Sequence, residues 1–328
     1  IWCHDMKYEF PIFKNFGKIL YIRCLIMDFG ERMEVEIEDK DKNVEEKINK
    51  ELNRRKSVIK PISERVSKLR EESVTTPVKF SSERAKIITE FYESDIPKGK
   101  SIPVQRALAF KYLMERVSIP IEDGQLIVGI RGTGVNEVPT FPEINVHSLE
   151  DLEVLNTREN MPYLVDDESK RIYKEKIIPF WEGKAMRNII FEKLPKEWID
   201  AYNAGIWTEF MEQRAPGHTA GGERMFEKGI LEIKEEIKNA MQNLSVNDSY
   251  YFEKMEELKA MDIVCDGILI YAERYSEKLK ELASKESNPN RKKELYQMAE
   301  ICKWVPAHRP RTFWEALQHY WFIHVGVT

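Results

Sequence analysis

The sequence lacks the cysteine pairs and the basic excess that mark several classes of protein. Its four cysteines, Cys3, Cys24, Cys265 and Cys302, lie far apart and form no CxxC pair. Such spacing favours free thiols in a reducing, cytoplasmic compartment over a disulfide framework or a zinc site. The net charge is −5, with acidic and basic residues interspersed. This balance argues against a dedicated nucleic-acid surface.

The sequence also lacks long apolar runs and the common phosphate-binding and metal-binding motifs. Its most apolar N-terminal run, residues 17–27, is too short to span a bilayer and contains Arg23. There is no GxxxxGK[ST] loop, and no helix is predicted after the glycines of residues 129–134. His319 and His324 are five residues apart and should lie on different faces of a helix, so a shared metal is not expected. We therefore expect no membrane span, no nucleotide site and no metal.

The chain has a strong helical pattern from Pro61 onward, and a hydrophobic content of 42% is enough for a core. One strand is predicted over residues 121–129, followed by a loop to Pro142. Ser82, Ser148 and Thr312 are predicted to cap helices. Helices are predicted over residues 62–70, 81–92, 104–117, 166–191 (with a kink at Pro179), 195–213 (weak at Gly205), 222–244, 248–284, 289–303 and from 312 onward.

Several side chains are assigned to packing rather than to chemistry. The last helix is apolar almost all round, which predicts that it is buried. Tyrosines and methionines between residues 251 and 275 recur at helical spacing and should pack in the core. Cys265 and Cys302 are predicted to be buried thiols. His147 and His308 are predicted to be structural.

One stretch combines features that a simple connection does not need. Residues 208–223 read TEFMEQRAPGHTAGGE. Pro216 and Gly217 force a turn, His218 follows it, and two glycines then open the next helix. A histidine there can act in a site, because its pKa lies near neutrality, or can be held in place as part of a tight turn. The residues alone leave both interpretations open.

Residues 208–219 resemble a signature segment of glycyl radical enzymes of the pyruvate formate-lyase-like group. Within that group they most resemble the trans-4-hydroxy-L-proline dehydratase branch. The resemblance runs in order from about Ile62 to Thr328. It assigns residues 57–328 to the N-terminal part of a truncated domain of that group and leaves residues 1–56 as a charged leader. The supporting segments are residues 123–129, 139–144, 177–181, 305–308 and 320–328.

The resemblance implies a fold and a reaction. The fold is a ten-stranded α/β barrel wrapped in helices, of which this mainly α fragment supplies helical wrapping. A radical-SAM activating enzyme installs a radical on a glycine, a cysteine thiyl radical then abstracts hydrogen from a small-molecule substrate, and water is lost. No cofactor is bound directly. The apolar end at Thr328 and the start at Ile1 suggest a piece of a longer protein, whose radical glycine and catalytic cysteine lie outside this chain. The full-length protein is expected to be a homodimer.

Two site residues carry over from the resemblance. Phe210 is expected to pack on the substrate, and His218 to hydrogen-bond it or handle a proton. The dehydratases usually continue after His-Thr with Val-Cys-Gly-Asp, whereas here residues 220–223 read Ala-Gly-Gly-Glu, so the substrate stays open. The alternatives are a formate C-acetyltransferase and a non-catalytic remnant of the family.

Overall fold

In the computed structural model, residues 62–207 and 222–327 are described. All but the first of these belong to one unit that begins at Ser63. The leader assigned to residues 1–56 and the stretch 208–221 lie outside the described residues. Within them, the prediction of a mainly helical chain is confirmed, and the barrel implied by the resemblance is not among the described elements.

Helices follow one another along most of the described chain. In chain order they are α1 (Glu64–Thr75), α2 (Glu83–Glu93), α3 (Ile102–Arg116), α4 (Leu149–Thr157), α5 (Asp167–Ile172), α6 (Ile178–Trp181), α7 (Met186–Lys193), α8 (Lys196–Asn203), α9 (Arg224–Glu227), α10 (Ile230–Asn243), α11 (Tyr251–Lys285), α12 (Pro289–Trp304) and α13 (Phe313–Val327). Within the described residues, no helix is both long enough and apolar enough to cross a membrane.

The predicted strand over residues 121–129 is wrong. This segment is irregular backbone, and side chains from helices bond its polar groups. The Val128 N–H donates to Gln318 Oε1 at 2.8 Å, and Gln318 Nε2 donates to the Val128 carbonyl at 2.6 Å. Trp314 Nε1 donates to the Leu126 carbonyl at 2.8 Å, and Trp321 Nε1 to that of Gly129 at 2.7 Å. Val128 at the end of the β-branched run is buried, but side chains and not a strand pair with its backbone.

The first of the two strands in the described residues lies at the start of the helix predicted over residues 81–92, and the second lies in the loop predicted to end at Pro142. β1 (Lys79–Ser81) and β2 (Glu137–Pro139) pair in parallel, with Phe80 opposite Val138. Each has three residues, which is too short to show an alternating pattern. The pairing joins segments almost sixty residues apart, so only the tertiary fold creates it.

The helix predicted over residues 166–191 is two helical segments. α5 passes through a π-helical turn, Tyr173–Ile177, into α6, which carries Pro179. The segment ends at Trp181, and Gly183 takes a left-handed conformation with φ of 73° before α7 begins. The helix predicted over 222–244 is likewise divided into α9 and α10.

The predicted caps differ in how they are used. Ser148 forms a full capping box with Asp151, and Thr312 Oγ1 accepts from the Glu315 N–H at 3.2 Å. Ser82 makes no side-chain capping bond. Its hydroxyl instead pairs with that of Ser169 at 3.1 Å, between the starts of α2 and α5. A buried hydroxyl requires a hydrogen-bond partner, and Ser82 finds one in Ser169 instead of in the backbone at the start of its own helix.

The main core lies where α11 packs against α3 and α12, and its aromatic centre includes Tyr271, Tyr275 and Phe322. The predicted aromatic and methionine stripe of α11 is thus confirmed at its C-terminal end. It is wrong at Met261, whose side chain is exposed. The helix is covered at this level, because the adjacent Ala260 is buried with Val104 and Ala107 of α3, and Met261 lies on a face that these residues leave uncovered.

The prediction that the last helix is buried all round is wrong for the described residues. One face of α13 is covered, and it carries polar Glu315, Gln318 and His319 beside Phe322 and Val325. The opposite face leaves apolar side chains exposed, namely Phe313, Leu317, Tyr320, Trp321 and Val327. The buried polar residues have hydrogen bonds: Gln318 with Val128, His319 with the Met225 backbone, and Glu315 with Arg311 and Thr312 just before it.

We predict that Gln318→Leu destabilises the chain by about 2–4 kcal/mol, because two buried backbone groups of Val128 lose their partners. Urea unfolding of the variant should show a lower midpoint. The matched control is Gln297→Leu on the exposed face of α12, which should stay within about 0.5 kcal/mol of the parent. Equal effects of the two changes would contradict the role given to Gln318.

Candidate active site

The two site residues predicted from the sequence, Phe210 and His218, lie outside the described residues. The described residues show how the chain is held on either side of them. Trp207 is the last described residue before the stretch, and Gly222 is the first one after it. Contacts on these two sides hold the chain before and after the stretch.

On the N-terminal side, Trp207 belongs to an aromatic cluster built by α7 and α8. Its ring lies 5.1 Å from that of Tyr202 and 6.1 Å from that of Phe191, measured between centroids. Its Nε1 donates to the Trp198 carbonyl at 2.9 Å. The Arg187 guanidinium lies 4.2 Å from the Phe191 ring centroid, a cation–π distance. The rings of Phe191, Trp198 and Tyr202 around Trp207, together with the Arg187 guanidinium, thus hold the backbone directly before Thr208.

On the C-terminal side, the start of α10, directly after α9, is held by the connection between α12 and α13. The backbone N–H of Ile230 donates to the Pro306 carbonyl at 2.9 Å, and that of Leu231 donates to Ala307 at 3.1 Å. Gly229 approaches so closely that a Cβ there would lie 2.3 Å from the Ala307 carbonyl oxygen. Glycine is thus needed at 229 for close approach of two backbones.

The α9 helix itself has only four residues and depends on tertiary contacts. Met225 is buried. Arg224 and Lys228, on either side of it, both pair with the carboxylate of Glu236 on α10. These pairs are partly exposed and contribute little free energy each. The buried Met225 and its surroundings therefore decide where α9 lies.

His319 of α13 is part of those surroundings and was not predicted as a site residue. Its side chain is 1% exposed, and its ring centroid lies 6.3 Å from that of Phe226. Its Nδ1 is a buried polar atom with no hydrogen-bond partner among the described residues. Burying such an atom costs roughly 1–3 kcal/mol, so apolar packing alone would favour another residue.

Burial also sets the charge state of His319. It lowers the pKa of the imidazole to about 4, and a hydrogen bond with the Met225 backbone opposes that shift. The ring is therefore neutral near pH 7 and keeps one nitrogen as an acceptor. A signal in the sequence could have indicated this residue, because a histidine interrupts the apolar run of the last helix.

The other predicted structural residues are found where packing places them. Cys265 and Cys302 are buried free thiols, as predicted. Burial raises the pKa of Cys265 to about 11, and it also raises that of Cys302. Both therefore stay protonated and inert near neutral pH.

His308 stacks on Trp304 with centroids 4.2 Å apart, and His147 lies edge-on to Phe80. No cluster of metal-ligating side chains occurs in residues 62–207 or 222–327.

Most of the chain matches one family of known proteins. The sequence model of the family described as "Pyruvate formate lyase-like" matches residues 57–328. The chain belongs to the pyruvate formate lyase-like family. This membership confirms the resemblance that residues 208–219 and the accompanying segments indicated.

Two relatives match a similar length of this chain. A trans-4-hydroxy-L-proline dehydratase of Clostridioides difficile is 45% identical over 266 residues, which cover 81% of this chain and 34% of the relative. An isethionate sulfite-lyase of Nitratidesulfovibrio vulgaris is 33% identical, over 80% of this chain and 33% of the relative. The chain thus spans about one third of the length of these curated relatives.

A solved structure supports the fold. The crystal structure of the hydroxyproline dehydratase of Clostridioides difficile, with trans-4-hydroxy-L-proline bound, matches with a TM-score of 0.77 and 44% identity. The match covers 80% of this chain and 34% of that chain. Over the matched part of the chain, the helical arrangement described above is therefore shared with that structure.

We predict that His319 makes the stability of the chain sensitive to mild acid. In the unfolded chain its pKa is 6.5, and in the folded chain about 4. The unfolded state binds the extra proton between these values, so stability is full above pH 6.5 and falls as the pH drops through 4, by about 3 kcal/mol in total.

Urea unfolding at pH 7 and pH 4.5 measures this loss. His319→Gln should remove most of it, because glutamine does not titrate. The same substitution at partly buried His324 should retain it. An unchanged pH dependence in His319→Gln would contradict the assignment.

Proposed function

We propose that the full-length protein is a glycyl radical lyase, a dehydratase that removes water from a small hydroxylated substrate such as 4-hydroxyproline. The observation that carries this proposal is the 45% identity to a trans-4-hydroxy-L-proline dehydratase over 266 residues. The fold match to a hydroxyproline dehydratase gives further support. Because the chain spans about a third of these proteins, activity, substrate and partners are proposed for the whole protein and not for this fragment, which we expect to be inactive alone.

The radical supplies hydrogen-atom abstraction from a substrate carbon. We place the radical glycine and the catalytic cysteine outside residues 1–328, and a radical-SAM activating enzyme as the partner that installs the radical. Cys265 and Cys302 do not suit the thiyl role, because both are buried among packed helices. We assign residues 57–328 as the N-terminal part of the catalytic domain, and expect a cytoplasmic homodimer.

Within this scheme, the residues of the chain bind substrate and move a proton. Phe210 packs on the apolar face of the substrate. His218 hydrogen-bonds the substrate and handles the proton needed when the hydroxyl leaves as water, a task suited to a group with a pKa near neutrality. The contacts of Trp207 and Gly229 hold the described residues on the two sides of this segment.

Two alternatives make different predictions for the flanking gene sequence. An in-frame continuation with the cysteine and glycine motifs supports an enzyme, and a stop codon supports a non-catalytic remnant. A pair of adjacent cysteines in the active loop supports a formate C-acetyltransferase. The substrate is a separate question, because residues 220–223 depart from the usual dehydratase pattern and an isethionate sulfite-lyase is 33% identical.

We predict that His218→Ala in the full-length protein lowers kcat by about 10²–10⁴-fold, the contribution of a general acid or base. Phe210→Ala should raise KM about tenfold, because apolar contact with the substrate is lost. The radical content, measured by EPR after activation, should stay at the parent level in both variants.

The matched control is His147→Ala, which removes a histidine that packs on Phe80, and its turnover should be unchanged. If His218→Ala carries the radical and turns over at the parent rate, the role given to His218 is wrong. If the parent protein carries the radical and does not dehydrate 4-hydroxyproline, that substrate is wrong.

A further inference from the structure

A cavity of about 550 Å³ opens beside β1, where the starts of α2 and α5 meet. Cavities of this size commonly bind small molecules. Its wall is formed by β1, the first turns of α2 and α5, and the loop that leads into β2. The ends of helices and strands carry polar backbone and side-chain groups, so such a wall is able to bind a polar ligand.

One buried hydroxyl on the wall of this cavity has no partner. Ser81 is 6% exposed, and its side chain has no hydrogen-bond partner among residues 62–207 and 222–327. Side chains alternate between the two faces of a strand. Because Phe80 packs in the core, Ser81 and Lys79 lie on the other face of β1, and both line the cavity. A buried hydroxyl normally has a partner, so Ser81 offers an unused donor to a ligand in the cavity.

The start of α2 supplies further donors to the cavity. α2 has 11 residues, and its N-cap residue Ser82 makes no side-chain bond to the helix. The N–H groups of a first helical turn have no partner within the helix and carry partial positive charge. Ser82 and Ser169 share one hydrogen bond, in which one hydroxyl donates and the other keeps its own hydrogen. Both serines line the cavity, so a spare hydroxyl hydrogen is available there.

Two lysines at the cavity have no acidic partner. The ammonium groups of Lys79 and Lys86 form no ion pair with any carboxylate of the described residues. Lys86 follows Ser82 by about one helical turn and so lies on the same side of α2. Both lysine side chains are exposed. They can therefore reach a ligand in the cavity without breaking a salt bridge.

The carboxylates that line the cavity share one property, which is that each already accepts a hydrogen bond from a neighbouring group. The pairs are Glu83 with the Ser118 N–H, Glu137 with the Thr133 N–H, Asp166 with the Ser169 N–H and Glu168 with the Arg171 guanidinium. The donors without a partner are thus those of Ser81, the two lysines and the start of α2. The carboxylates keep their charge and weaken the attraction for an anion, so we expect modest affinity.

We propose that this cavity binds a phosphate group, either as the free ion or as part of a small organic molecule. Ser81, the hydroxyl pair of Ser82 and Ser169, and the first turn of α2 donate to its oxygens, as helix N-termini do at other phosphate sites. Lys79 and Lys86 balance its charge. The cavity is larger than a phosphate ion, which leaves room for an organic group beside it. The proposal does not depend on the proposed function.

Isothermal titration of the complete 328-residue chain with inorganic phosphate tests the site. Sodium chloride at the same ionic strength is the reference, because it screens charges without offering a phosphate group. We expect a Kd of about 1 mM for the parent and binding weaker by about 5- to 10-fold in Lys86→Gln. The matched control is Lys293→Gln, which removes an exposed lysine of α12 away from the cavity, and its affinity should equal that of the parent.

Ser81→Ala distinguishes a ligand site from a structural role. The change removes a buried hydroxyl that has no partner, so the urea midpoint without phosphate should stay at or above that of the parent. Phosphate affinity should nevertheless fall by about 3- to 10-fold. Parent-level affinity in Ser81→Ala would overturn the proposal. Equal weakening in Lys86→Gln and Lys293→Gln would also overturn it, because attraction by net charge alone would then explain the binding.

A second titration with glycerol 2-phosphate identifies the source of the phosphate group. Binding about tenfold tighter than that of inorganic phosphate supports a phosphorylated small molecule as the ligand, because the organic group then uses the rest of the cavity. Binding no tighter than that of inorganic phosphate supports the free ion. If neither compound binds the parent beyond the chloride reference, the cavity is not a phosphate site.

Discussion

The paired hydrogen bonds between Gln318 and Val128 are the interaction on which the rest of the described structure depends. An amide side chain offers one donor and one acceptor, and it bonds the N–H and carbonyl of one residue as a neighbouring strand would. This allows a buried, irregular segment to lie against a helix with no sheet beside it. Trp314 and Trp321 bond further carbonyls of the same segment, so α13 takes the place of a β-strand partner.

α13 can support two segments because consecutive residues of a helix point in different directions, about 100° apart. Gln318 is directed to residue 128, and His319 to α9. Both side chains are polar and fully buried in a helix that is otherwise strongly apolar. The same element thus connects the buried irregular segment to the chain that follows the candidate site. A change in the position of α13 would therefore move both the segment at residues 121–129 and α9.

The helices of this chain could be predicted because their signals are local. Proline and glycine positions, caps such as Ser148 and the 3.6-residue period of the apolar residues occur within a few residues of the structure that they specify. The strands could not be predicted, because each has three residues and its partner lies far along the chain. The segment at residues 121–129 resembled a strand because of its short β-branched run, which ends at buried Val128, and such a run looks the same whether a strand or a set of side chains covers the backbone.

The sequence by itself determined the family, the mainly helical character and the stretch at residues 208–223, since each depends on residue order and local spacing. Only the tertiary structure decided which side chains hold the described residues before and after that stretch. Trp207, Gly229 and His319 come from three separate parts of the chain, and no spacing relates them. In the sequence, His319 is one polar residue in an apolar helix. Only the fold shows that it lies beside Met225. Burial then keeps its imidazole neutral. This property depends on which residues surround the ring in space, and the spacing of residues along the sequence does not show it.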